Sequence, residues 1–291
     1  MSSPIPSSHY CPACGAPGTR PDIVYNGHQL LRCGRCNFAF TADRSFPTSL
    51  YEDVYSGVTA FQMMLDDARQ THSGQKGGRN LWWYKRMALR WLKPTHGKRL
   101  LDLGSGPGTF LMVAQREYGY EIQGVEPAVL AARTAMDFGV PTWCGLSDDF
   151  ARSTDKFYDA ITSFEVLEHV TDPLQFLTTA RQMIAPDGRL MLSVPNLDDR
   201  YCLQQQIPPA MPPIHINFFS RSSLQAVLER AGFRVERSFT LPVPTSSVRN
   251  VHGKAGFLVR LPWLALGRLF GRADGTTLLV EARPTAATAS M

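Results

Sequence analysis

The sequence predicts an α/β fold: a mainly parallel sheet with helices on both faces, preceded by a small cysteine-rich module. Three observations predict it. From Arg99 onward short apolar runs alternate with helical stretches, and strand alternating with helix builds a parallel sheet between two helical layers. A glycine-rich turn, LDLGSGPG (101–108), joins the first of these strands to its helix. Ahead of them stand two C-x-x-C pairs, Cys11/Cys14 and Cys33/Cys36, separated by eighteen residues.

The strand candidates are RLLDL (99–103), EIQGVE (121–126), VPTWC (140–144), YDAITS (158–163), RLMLSV (189–194), FRVERSF (233–239) and TTLLVEA (276–282). Helices fill most of the gaps; Ser220 can cap the helix SSLQAVLERA and Gly232 can end it. The chain then divides into a disordered tail (1–9), a zinc-ribbon module (10–44), a helical linker or cap holding Trp82, Trp83 and Trp91 (45–95), the main domain (96–284) and a loose tail (285–291).

Bulk composition bounds the function. The 291 residues suffice for one large domain with an appendage. With 44% hydrophobic and 19% charged residues the balance is that of a globular protein. A net charge of +5, spread along the chain, permits an acidic partner without demanding nucleic acid. The first ten residues lack a charged n-region and an apolar h-region, so they do not read as a signal peptide. The longest apolar stretch is broken by Arg260, Pro262 and Arg268, too charged to span a bilayer. The expected location is the cytoplasm, with cysteines reduced or metal-bound rather than disulfide-linked.

The spacing C-x2-C-x18-C-x2-C predicts four thiolates on one tetrahedral zinc. Gly15 and Gly34 are expected to allow the tight backbone of each knuckle. In so short a segment the metal supplies much of the folding energy, and with no open ligand position the zinc is structural. Cys144 is expected in core packing; Cys202 carries no assignment. Residues 1–50 hold four Arg and two Asp with the aromatic pair Phe38 and Phe40, a weak case for nucleic acid.

The glycine turn Gly104-Ser105-Gly106-Pro107-Gly108 ends an apolar strand and opens a helix, where ligands bind at the carboxyl edge of parallel sheets. A dinucleotide fingerprint has G-x-G-x-x-G, whereas here the third glycine comes one place early. Asp102 would repel pyrophosphate but suits a cationic ligand, and Glu126, ending the second strand, suits two ribose hydroxyls. A cationic adenosine derivative fits better than a dinucleotide.

Five motifs in order now point to a family: LDLGSGPG (101–108), GVEP (124–127), FYDAITSFEVLEHVTDP (157–173), PDGRLMLSVPN (186–196) and HINFFS (215–220). Over roughly residues 96–283 the chain resembles the class I S-adenosylmethionine-dependent methyltransferases. The resemblance implies a Rossmann-like seven-stranded domain with S-adenosylmethionine as methyl donor. It implies that Asp102, Gly104, Ser105, Gly106 and Gly108 wrap the methionine part of the donor. Glu126 would bind ribose, Pro127, Leu146 and Ser147 would line the adenine pocket, and Phe164 and Glu165 would lie near the sulfonium.

Glu165, Glu168 and His169 stand at i, i+3 and i+4, which on a helix is one face. Three readings stay open: a wall of the donor pocket, a grip on a divalent cation, or a general base. The second follows from a resemblance of this E-x-x-E-H segment to the polyprenyl-benzenoid O-methyltransferases of ubiquinone synthesis. His215, in PPIHINFFS, is a rival base or a residue that orders its loop, and Asn196 faces the same region.

The leading reading is a methyltransferase acting on oxygen or carbon of a small molecule: a sugar, a secondary metabolite or a quinol-like acceptor. Sugar C-methyltransferases resemble it through their zinc ribbon but carry a further C-terminal domain. One alternative is an rRNA base methyltransferase whose ribbon binds RNA; the modest charge argues against it. Another is a non-catalytic module that only binds the donor. Exocyclic-amine chemistry is disfavoured, because Phe164-Glu165-Val166-Leu167 replaces the Asn/Asp-Pro-Pro-aromatic signature of those enzymes. Residues 256–271, apolar with Arg260 and Arg268, read as a helix over the acceptor pocket or a homodimer surface, or as an interfacial helix making peripheral membrane contact.

Overall fold

The computed structural model describes residues 10–25, 27–44, 59–74, 83–93, 95–198, 212–242 and 275–286. The expected N-terminal tail, most of the C-terminal one, Trp82, Cys202 and the 256–271 stretch lie outside the described residues.

Seven strands form the main sheet: β4 (Arg99–Leu103), β5 (Glu121–Glu126), β6 (Thr142–Cys144), β7 (Tyr158–Phe164), β8 (Ile184–Pro195), β10 (Phe233–Pro242) and β11 (Gly275–Pro284). Their order is β10-β11-β8-β7-β4-β5-β6. The five strands from β8 to β6 run parallel, and β11 and β10 pair antiparallel at the other side. This is the Rossmann-like sheet that the alternation of strands and helices predicts. VPTWC starts as a strand only at Thr142, because Pro141 has no N–H to give to the ladder. RLMLSV is longer than expected, since the register with β7 begins at Tyr158 and Ile184 and shifts before Ala160 and Arg189.

Alternation along β4 decides which side of the sheet each residue serves. Leu101 and Leu103 pack into one core with Ile161 and Leu190. Leu100 packs into the other with Ala88, Leu111 and Ile122. Asp102, two residues on, shares the face of Leu100. That face is covered by helices α1 (Thr59–His72), α2 (Trp83–Leu92) and α3 (Thr109–Tyr118). The order of the strands reverses about β4, which opens the crevice where ligands of such sheets bind.

A second, antiparallel sheet contains β1 (Thr19–Tyr25), β2 (His28–Cys33), β3 (Ala39–Thr41) and a two-residue strand, β9 (Asn217–Phe218). The cysteine module is therefore not a separate bead. Its β3 pairs with β9 of the main domain, Ala39 against Phe218 and Phe40 against Asn217. Phe38 packs on Phe219 with ring centroids 4.9 Å apart. Ser220 caps the helix Arg221–Arg230 through a reciprocal capping box with Ser223, worth about 1 kcal/mol. Its hydroxyl also donates to the carbonyl of Cys36 at 2.9 Å.

Candidate functional site

The glycine turn leaves β4 and returns over the end of β5. Gly104 has φ +78°, and a Cβ there would collide with a Val166 methyl, so only glycine fits. Gly106 has φ +55°, and its N–H donates to Glu126 Oε2 at 2.8 Å while Ala128 N–H donates to Oε1 at 2.9 Å. Asp102, 2% exposed, accepts a 2.7 Å bond from Thr162 Oγ1. Burial pushes Asp102 up to about 7, opposed by the Lys85 charge and the Thr162 hydroxyl. Burial also pushes Glu126 up to about 7, opposed by its two backbone donors. Ser105 Oγ is buried without a hydrogen-bond partner among the described residues, a polar atom that a ligand in this cradle would satisfy. Gly108 is the left-handed cap opening α3.

Pro127 follows Glu126 directly. Leu146 is 48% exposed and precedes the short helix Ser147–Ser153. Gly145 N–H donates to the Glu126 carbonyl at 3.1 Å, which ties this rim to the same cradle. Cys144 corrects one expectation: it is exposed, not core, because β6 is the edge strand of the sheet.

Phe164 closes β7, buried edge-on against Phe110 at 5.0 Å. Glu165 follows in a left-handed conformation, φ +58°, and accepts from Ser193 Oγ at 2.7 Å. The segment from Glu165 to Val170 is a turn rather than a helix, which overturns the single helical face expected for Glu165, Glu168 and His169. The left-handed turn at Glu165 separates it from the other two. His215 instead joins them: ligand atoms of Glu168, His169 and His215 all lie within 4.8 Å of one another.

This second cluster joins a buried carboxyl to two half-buried histidines. Glu168 is 1% exposed, and among the described residues neither carboxylate oxygen has a hydrogen bond, with His169 Nε2 3.8 Å from Oε1. Burial, reinforced by the Glu165 charge, holds its acid far above the usual carboxylate range. Burial likewise raises Glu165 against the pull of Ser193 and Lys85. His169 is lowered by burial, opposed by its 2.8 Å bond to the Ile214 carbonyl. His215 is lowered further, by burial and then by His169, whose ring stands edge-on at 4.7 Å. Two neutral imidazoles and an orphaned carboxyl form a donor set that fits a divalent cation, which would relieve the unpaired oxygens.

Helix α2 brings residues that sequence reasoning missed. Lys85 Nζ stands 5.2 Å above the Phe164 ring; burial lowers its pKa, opposed by the charges of Asp102 and Glu165. Tyr84 packs 6.1 Å from Phe164, and burial raises its phenol. The only local signal was a cation and aromatics just ahead of the first strand, in WWYKR. Asn196 is buried at the end of β8, with Oδ1 accepting from Asp198 N–H at 3.1 Å.

The four cysteines of the module form one cluster. Cys11 and Cys36 sulfurs are 3.6 Å apart, and Cys14 and Cys33 sulfurs 3.7 Å. A tetrahedron with metal–sulfur bonds of 2.3 Å has edges of about 3.8 Å, so the set is spaced for zinc. The two knuckles repeat: Gly15 N–H donates to the Cys11 carbonyl at 2.8 Å and Asn37 N–H to that of Cys33 at 3.0 Å. The left-handed residue follows the second cysteine each time, Gly15 at φ +72° and Asn37 at φ +59°. Gly34, expected in that role, lies outside the left-handed region, and asparagine tolerates the conformation.

Residues 78–238, more than half of the chain, match a methyltransferase domain family. The chain belongs to that family. Among solved structures it is similar to a chain of the Haloferax volcanii complex between the Trm112 methyltransferase activator and a methyltransferase. That match has a TM-score of 0.54 and 17% identity, covering 77% of this chain and 99% of that one. An S-adenosylmethionine-dependent methyltransferase from Archaeoglobus fulgidus matches with TM-score 0.52 and 20% identity, over 69% of this chain and 93% of that one. At these identities the likeness is one of fold. The ubiquinone biosynthesis O-methyltransferase of Aeromonas salmonicida is 32% identical over 117 residues, 38% of this chain and 49% of that one. The enzyme of the same name from Azorhizobium caulinodans is 34% identical over 113 residues, 37% of this chain and 44% of that one. The chain thus spans about half the length of the curated relatives it matches. Among the described residues no helix is long and apolar enough to cross a membrane.

Proposed function

We propose that the protein moves a methyl group from S-adenosylmethionine to an oxygen of a small, quinol-like molecule. The observation that carries this reading is a junction at one edge of the sheet. Buried acids around a glycine turn lead, through Phe164 and Glu165, into the Glu168–His169–His215 cluster. The names of the ubiquinone biosynthesis relatives support a hydroxylated aromatic acceptor.

In this reading Asp102 faces the cationic methionine part of the donor, and Lys85 pairs with its carboxylate. Each Glu126 oxygen accepts one backbone N–H and keeps a lone pair for a ribose hydroxyl. Pro127, Leu146 and Ser147 flank adenine. A sulfonium methyl moves by in-line displacement, so the protein aligns the reactants and removes the acceptor proton. His169 and His215, kept neutral by burial, are the bases within reach of such a proton. With a divalent cation on Glu168, His169 and His215 the ring nitrogens would be ligands instead of bases, and the cation itself would lower the pKa of an acceptor hydroxyl. Cys11, Cys14, Cys33 and Cys36 hold a structural zinc.

The test is methyl-labelled donor with purified protein and three acceptors offered separately: a catechol, a polar metabolite extract and ribosomal RNA. Label in the catechol, lost in His169→Ala and His215→Ala, is the expected result. Label only in RNA overturns the reading and makes the ribbon an RNA-binding module.

A further inference from the structure

We propose that Arg44 and Asn217 form a positioning pair through which the cysteine module fixes the turn carrying Glu168 and His169. The inference rests on the reading of that turn as the acceptor side of the site, and it concerns residues outside both the donor cradle and the cluster itself.

Asn217 is 1% exposed and fully engaged. Its Oδ1 accepts from Arg44 Nη2 at 2.8 Å. Its Nδ2 donates to the carbonyls of Leu167 at 3.0 Å and Val170 at 2.6 Å. The amide orientation is forced, since a guanidinium only donates and carbonyls only accept. Leu167 and Val170 bracket Glu168 and His169, so one side chain pins the backbone on both sides of the pair. The carbonyl of Glu168 also accepts from the N–H groups of Ile216 and Asn217, at 2.9 and 3.0 Å.

Arg44 ties this clamp to the module. It stands just beyond β3, with its guanidinium 5.5 Å from the Phe40 ring centroid. Its Nε donates to the Thr171 carbonyl at 2.9 Å, one residue past the clamp. Thr41 N–H donates to the Ile216 carbonyl at 3.0 Å, and Phe40 pairs with Asn217. Every polar atom of the Asn217 side chain is bonded, whereas Arg44 Nη1, Thr41 Oγ1 and both Glu168 oxygens have no hydrogen-bond partner among the described residues. Held backbone with free ligating atoms is the arrangement of a preorganised site. The donor turn receives none of these bonds; it is tied to β5.

The experiment compares Arg44→Met, Arg44→Lys and Asn217→Asp with the full chain by hydrogen exchange, histidine NMR, zinc content and S-adenosylhomocysteine calorimetry. In Arg44→Met we expect amide exchange over 167–170 to accelerate at least about tenfold. The His169 and His215 ring signals should shift, while zinc content, exchange over 100–108 and S-adenosylhomocysteine affinity stay within twofold. Arg44→Lys, which keeps one donor, should recover part of the protection. Asn217→Asp loses both donors to the carbonyls, keeps the guanidinium partner, and should loosen the same four residues. Unchanged exchange at 167–170, equal loosening of the donor turn, or loss of zinc in Arg44→Met would each overturn the proposal. Catechol methylation that survives His169→Ala would sink the acceptor reading instead, leaving the exchange pattern to decide the positioning role.

Discussion

The glycine turn and the Glu168–His169–His215 cluster sit at the same edge of one sheet and are built in opposite ways. The turn is local: Asp102 to Gly108 are consecutive, and their partner Glu126 ends the adjacent strand. Its polar groups mostly satisfy one another before any ligand arrives. The cluster is assembled from a turn after β7 and a segment forty-five residues later, as the bond from His169 to Ile214 records. Its central carboxyl accepts no hydrogen bond among the described residues and lies 3.8 Å from His169 Nε2. A region satisfied internally can fold as a cradle by itself. A region with orphaned groups must be held from outside, here by the cysteine module.

The sharpest way to break this comparison is to remove the module's metal. Zinc contributes on the order of 10 kcal/mol to small zinc modules, as much as the whole stability of a typical domain. Cys33→Ser should therefore release zinc, and heteronuclear spectra should lose the signals of 10–44 and 214–220 while those of 100–126 persist. Uniform collapse of both regions would mean that the two halves are not separable.

Next in size are the cradle acids. Glu126→Ala removes the acceptor of two backbone N–H groups and of the proposed ribose bonds. Charge-assisted bonds are worth about 1.5–3 kcal/mol each, so S-adenosylhomocysteine affinity should fall about 100-fold by calorimetry. Asp102→Asn should weaken S-adenosylmethionine more than uncharged analogues.

The pH dependence sharpens the contrast. Asp102 and Glu126 stand near 7. Above that pH they are ionised and attract a cationic donor; below it they are protonated and do not. Between pH 8 and 6 the ionised fraction of such a group falls about tenfold. The dissociation constant of S-adenosylmethionine should rise by at least that factor over the same interval.

The smallest expected effect has the opposite sign. Glu168→Leu removes a buried carboxyl that accepts no hydrogen bond among the described residues, so thermal stability should rise by about 1 kcal/mol while catechol methylation is lost. A destabilised variant would mean that the carboxyl is paired in solution.

How far the sequence reaches follows the same division. Strand boundaries at 99–103 and 121–126 matched residue for residue, because apolar alternation and flanking glycines are local signals. The cysteine spacing located the thiol cluster, since four thiols in 26 residues have few ways to converge. Three details failed for reasons that are not local. Cys144 is exposed because strand order, not composition, makes β6 an edge. Asn37 rather than Gly34 takes the left-handed position because the knuckle turn falls after its second cysteine. Lys85 reaches the Phe164 ring because Phe164 packs on the face of the sheet that α2 covers.

The sequence by itself determined the parallel sheet, the glycine turn with its acids and the thiol set, all features carried by periodicity or short spacing. Only the tertiary structure decided that Glu168 and His169 take His215 rather than Glu165 as their neighbour. The reason is one left-handed residue after β7, which turns the helical spacing of that segment into an irregular loop. Closure against 214–217 then supplies the third ligand atom.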